Sequence, residues 1–65
     1  MSIYLVTGKG DNSNNIPFAY SRHKEKAYIY ANEIDKEHKY TRVQKCTDLT
    51  LLVLLDKYFL IDLDK

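Results

Sequence analysis

The side chains of this sequence with the potential for metal, acid–base or nucleophilic chemistry are His23, His38, Cys46 and the helix carboxylates Glu25, Glu33, Asp35 and Glu37. His23 and His38 fall near opposite ends of one helical stretch, so the two cannot converge on a single metal ion. His38, with Lys39 beside it, suits the negative end of a helix dipole instead. Cys46 has no histidine near it in sequence or on its own element, and a half-buried structural thiol is expected rather than a nucleophile. The carboxylates alternate with lysines, as on a solvated face held by weak charge pairs. Gly8-Lys9-Gly10 lacks the longer glycine pattern and the Lys-Ser/Thr ending of a phosphate cradle. No nucleophile and base come together, so the expectation is a non-enzyme with no catalytic residue, no metal and no cofactor.

A chain of 65 residues is expected to form one domain, residues 1–65. At this size folding hides only about 60% of the surface the unfolded chain exposes. The core then supplies no more than about 3–5 kcal/mol. With a single cysteine, neither an internal disulfide nor a cysteine zinc framework is available. Self-association or a partner is the remaining source of stability. Ten Lys and Arg against nine Asp and Glu give a net charge of +1, which marks neither a basic nucleic-acid binder nor an acidic mimic. Met1 to Leu5 carries no positive lead and no extended apolar run, so no secretory signal is expected. The apolar run Leu51 to Leu55 is far shorter than the about 20 residues that cross a bilayer. The expected location is the cytoplasm, with no membrane role.

Positioning these residues falls to a helix predicted from Ser21 to Lys39. Ala27, Tyr30, Ala31 and Ile34 follow i, i+3, i+4, i+7 and form its core stripe, and Ser21 is the expected N-cap. The alanines let the axis approach a small sheet closely. Ile29 points to the polar side, either as a lone exposed aliphatic or as a contact for a partner. Ser2 to Thr7 reads as a central strand, with Ile3 and Leu5 on one face and Tyr4 and Val6 on the other. Gly8 to Asn15 reads as a hairpin loop. Ile16 to Tyr20 is a second strand with Ile16, Phe18 and Tyr20 on one face, and Pro17 places it at an edge or marks its start. Tyr40 to Cys46 is a third strand beside the first, with Val43 inward and Arg42, Gln44 and Cys46 on the opposite face, shared with Tyr4 and Val6.

The apolar segment 47–65 is expected to cover that second face or to pack on a partner. Either Thr47 or Asp48 caps a short Leu-rich helix that ends near Lys57 and is followed by a last strand, or Leu51 to Leu55 pairs with Tyr58 to Leu63 as a hairpin around Asp56-Lys57. The helix is favoured. Its apolar residues point in more directions than one small sheet shelters, so Leu51, Val53, Leu55, Phe59 and Ile61 are candidate oligomerisation residues. Six tyrosines (Tyr4, Tyr20, Tyr28, Tyr30, Tyr40 and Tyr58) exceed what a small core needs and favour protein recognition.

The segment Thr41-Arg42-Val43-Gln44-Lys45-Cys46, at the end of a strand-strand-helix-strand order, resembles the third strand of the short podophage inhibitors of bacterial RNA polymerase. Thr41, Arg42, Val43 and Cys46 match that pattern. Gln44 stands for a second arginine, Lys45 for a proline, Asp11 for an acidic residue of the first hairpin, and the tail from Leu49 has no counterpart. The resemblance implies a small phage-type protein acting on a host protein in the host cytoplasm.

The sequence as a whole thus points to an α+β domain: a small antiparallel sheet, one long helix and a Leu-rich C-terminal segment. Its expected work is binding a host protein, with inhibition of a host enzyme or defence complex as the sharpest form. Arg42, Gln44, Lys45 and Tyr4 are the candidate partner contacts, with Ile29 as a second patch. Two alternatives remain: a nucleic-acid binder using Lys9, Arg22, Lys24, Lys26 and Lys39, and a self-associating structural or regulatory homo-oligomer.

Overall fold

A computed structural model describes residues 2–9, 15–36 and 41–65 of the chain. The elements run β1 (Ile3–Lys9), β2 (Asn15–Ser21), α1 (Lys24–Ile34), β3 (Arg42–Cys46), α2 (Asp48–Lys57) and β4 (Ile61–Asp62). The strands form one sheet in the order β3-β1-β2-β4. The fold is α+β with a small sheet, and β3 lies beside β1. The sheet is mixed: β1 is antiparallel to both neighbours, whereas β4 joins β2 in parallel through Ala19 and Tyr20.

Parallel β2 and β3 are linked by α1, and parallel β3 and β4 by α2. These crossovers run in opposite directions over the sheet, so they share one hand only if the helices lie on opposite faces. They do lie on opposite faces. Val6 and Ala19 pack with Ala27 and Ala31 of α1, whereas Ile3 and Leu5 pack with Leu51 of α2 and Leu60. Adjacent strand residues point to opposite faces, so Leu5 and Val6 feed the two clusters separately.

Helix α1 presents the expected stripe: Ala27 and Ala31 are buried, and Tyr30 and Ile34 pack around them. It is shorter than the predicted 21–39 span, and residues 37–40, including His38, Lys39 and Tyr40, lie outside the described residues, as do residues 10–14, on which most of the expected hairpin loop and Asp11 fall. The N-cap is His23, which makes no side-chain capping bond. Ser21 is instead the last residue of β2, and its Oγ accepts the His23 N–H at 2.9 Å inside the turn that precedes the helix. The short polar side chain closes that local turn before the helix begins.

The expectation that Tyr4 and Val6 share a face with Arg42 and Gln44 is corrected. Val43 lies opposite Val6 and Lys45 opposite Tyr4, on the α1 side, whereas Gln44 lies opposite Leu5 and Arg42 opposite Thr7, on the α2 side. Both faces of β1 are apolar, and its composition could not decide which one α1 would take.

In β2 the register shifts between Val6, paired with Ala19, and Thr7, paired with Pro17, leaving Phe18 unopposed. This irregularity breaks the expected alternation of Ile16, Phe18 and Tyr20. Pro17, Ala19 and Ser21 are the deeper set. The β4 ladder stops at Ala19, so the missing Pro17 N–H costs no bond to that neighbour. Phe18 also explains Gly8, since a Cβ there would stand 2.6 Å from its ring. No larger side chain fits while that ring stays in place.

Residues 48–57 are helical rather than a hairpin arm. Thr47 Oγ1 caps α2 by accepting the Thr50 N–H at 3.2 Å, while Asp48 and Lys57 sit at the dipole ends that favour them.

Candidate protein-interaction surface

Seating of α2 depends on few residues. Leu51 is its one buried side chain, with Leu54 half-buried beside it. At 100° per residue these two define the inner side, and Leu49, Leu52, Val53 and Asp56 fall on the outer side. Leu49 is 77% exposed, Leu52 63% and Val53 56%, and Phe59, just beyond the helix, is 95% exposed. Leu55, Tyr58 and Ile61 are exposed as well. Single exposed aliphatics are ordinary, but a cluster of this size in one short stretch is the kind of surface that marks docking.

The candidate oligomerisation residues therefore divide. Val53, Leu55, Phe59 and Ile61 are exposed, whereas Leu51 lies in the protein's own core against Ile3, Leu5 and Leu60 and cannot face a partner. Leu49 and Leu52 were missed. A helical wheel places them opposite Leu51 and Leu54, but only once it is known that those two face the sheet.

The candidate partner contacts also divide. Arg42, Gln44 and Lys45 are exposed on β3, which ends the sheet, and their side chains alternate between its two faces. Tyr4 is half-buried and packs in the α1 cluster. Ile29 is exposed on α1. Tyr4 and Lys45 thus share one face, and Arg42 and Gln44 the other, next to Thr7, whose buried Oγ1 has no hydrogen-bond partner.

A polar cluster that the sequence did not foretell closes the chain on itself. Asp64 Oδ1 accepts from Ser21 Oγ at 2.6 Å, and Oδ2 accepts the Arg22 N–H at 2.8 Å. His23 Nδ1 lies 3.4 Å and Lys26 Nζ 3.9 Å from Oδ1. The Arg22 N–H, then the Ser21 hydroxyl, hold the Asp64 carboxyl below its ordinary pKa. Serine, histidine and aspartate meet here, but the serine proton is directed to the carboxylate rather than to the imidazole. The arrangement acts as a clasp joining the end of β4 to the β2–α1 corner. Burial, and secondarily the charge of Asp48, push the Cys46 thiol above its ordinary pKa, which disfavours the reactive thiolate.

Among the described residues no group of three or more His, Cys, Asp or Glu is placed to hold a metal ion, and no helix is long and apolar enough to cross a membrane. No protein-family model matches the chain, and neither a curated protein nor a solved structure matches it.

Proposed function

We propose that this chain is a non-enzymatic protein-binding module whose docking surface is the outer side of α2 together with Phe59. The observation that carries the reading is the exposure of Leu49, Leu52, Val53 and Phe59 on one helix and its immediate exit. Side chains of this kind gain about 1.5–3 kcal/mol each when a partner removes them from water. An aromatic anchor among aliphatics is the composition of an interface centre.

Inhibition of a host enzyme or defence complex is the sharpest form of this proposal, and it rests on the resemblance carried by Thr41, Arg42, Val43 and Cys46. In that form Arg42 and Gln44, on the face of the sheet that α2 shares, supply polar contacts at the rim.

The test is affinity capture from bacterial lysate with the native chain and with a Leu52→Asp, Phe59→Ser double variant whose fold has been checked by amide spectra. A partner retained by the native chain and lost by the variant is the expected result. Equal retention by both would sink the proposed surface. In the same assay Arg42→Ala weakens capture if the β3 contact applies and leaves it unchanged if it does not.

A further inference from the structure

The two core clusters are built from different lengths of chain. On the α1 side Val6, Ala19, Ala27 and Ala31, with Tyr4, Tyr30, Ile34 and Val43 around them, all precede Thr47, and only Leu63 reaches that cluster from the C-terminal segment. On the α2 side Ile3 and Leu5 are covered by Leu51 and Leu60, so this cluster is closed only while residues 47–65 lie on the sheet. The backbone of that segment joins the sheet at few points. Ile61 and Asp62 pair with Ala19 and Tyr20, and the Leu63 N–H donates to the Tyr20 carbonyl at 3.0 Å. Among the described residues its polar side-chain contacts with the rest of the chain gather at the far end, where Asp64 meets Ser21, Arg22, His23 and Lys26, and Asp62 lies beside the Tyr20 hydroxyl. At the near end Thr47, in an extended conformation, joins β3 to α2.

We infer that residues 47–65 form a hinged arm that leaves the sheet as one unit, turning at Thr47 and fastened at its far end by the Asp64 clasp, while β1, β2, α1 and β3 stay folded. Departure of the arm takes only Leu63 from the α1-side cluster, so the three-stranded sheet keeps a complete core on that face. Local opening in contiguous units is the expected behaviour where one element has few buried contacts, and α2 buries a single side chain. The arm has no core of its own. A ten-residue helix is too short to persist alone in water, so α2 unwinds when it leaves and its amides report the opening. The clasp spans the division between the two parts. Ser21, fully buried at the end of β2, belongs to the part that stays and Asp64 to the part that leaves, 43 residues on, so their bond exists only in the closed state. Opening bares Ile3, Leu5, Leu51 and Leu60, a second apolar surface that the closed molecule hides, whatever docks on the outer side of α2.

The deciding experiment is native-state amide hydrogen exchange of the full chain at one pH near neutrality, for the native protein, Asp64→Asn and Ile29→Gly. Leu54 in α2 and Leu63 at β4 report the arm, and Val6 and Ala19 report the sheet. In the native chain the arm amides should share one level of protection, lower than that of the sheet amides, and should respond less steeply to urea, because opening the arm exposes only part of the surface that global unfolding exposes. Asp64→Asn should speed exchange of the arm amides severalfold. Ile29→Gly, at an exposed site in α1, weakens a helix that stays folded when the arm opens. It should therefore speed exchange of Val6 and Ala19 and leave Leu54 and Leu63 unchanged. Arm and sheet amides that share one protection and respond alike to Ile29→Gly would make the molecule a single cooperative unit and overturn the inference. So would opening at Leu63 without Leu54, which is fraying of the chain end, or arm amides indifferent to Asp64→Asn.

Discussion

The two helices flank one sheet and solve opposite problems. Helix α1 buries two alanines, borrows area from the flanks of Tyr30 and Ile34, and turns Glu25, Lys26 and Glu33 to water. Helix α2 buries one leucine and leaves Leu49, Leu52 and Val53 exposed. A close-packed alanine contact suits an element whose outer side is polar. Helix α2 shows water more apolar surface than it buries, which is why its outer side is the one proposed for docking. The contrast shows that apolar content alone does not mark the core: α1 has less of it and is better satisfied.

The substitutions that probe this contrast most strongly lie beneath the helices. Ile3→Ala, at a fully buried position under α2, should cost about 2–5 kcal/mol by loss of transfer energy and creation of a cavity. That is comparable to the whole stability expected of a domain this size, and chemical denaturation would read it as loss of the folded baseline. Beneath α1 the sensitive direction is reversed. Ala27→Leu, at a fully buried position, forces the helix off the sheet and should cost about 1–3 kcal/mol in the same measurement. If both sites tolerated either change, the two clusters would not be packed as described.

A smaller effect separates the ends of the helices. Thr47→Ala removes the α2 cap and should lower stability by about 1 kcal/mol in denaturant titration, whereas His23→Ala, at a cap with no side-chain bond, should do little through capping. Smaller still is the contribution of the Asp64 clasp, which is read by pH. Its folded pKa is depressed, so its stabilisation is fully present above the ordinary carboxylate value and is lost as pH falls through the lowered folded value. Thermal unfolding from neutral to strongly acidic pH should show an acid loss that Asp64→Asn flattens. An identical pH profile for both proteins would remove the clasp from the energetics.

Much of this architecture is legible from residue types. The Ala27/Ala31 stripe foretells α1, Thr47 with the leucine run foretells α2, and the alternation around Val43 foretells β3. Three features were not legible. The faces of β1 are both apolar, so assigning Tyr4 and Val6 to α1 requires knowing the pairing with Val43 and Lys45. The two-residue β4 has no period of its own, and only its neighbour β2 makes it a strand. Ser21 looks like a cap from its position before a charged run, but its proton goes to Asp64, a partner so distant in sequence that no local pattern announces it. The stripe on α2 was half legible. Val53 and Phe59 are among the expected residues, but so is the buried Leu51, while the exposed Leu49 and Leu52 are not, because a run of near-continuous leucine does not say which side of the helix meets the sheet.

The most direct test of the account sets folding against docking in one protein. Leu52→Asp should change the free energy of unfolding, extrapolated to dilute monomer, by no more than about 0.5 kcal/mol, as for an ordinary surface site. The same substitution should abolish the association made through α2. A loss of several kcal/mol in the monomer, or an association that persists unchanged, would show that the outer side of α2 is not a surface held in reserve for a partner.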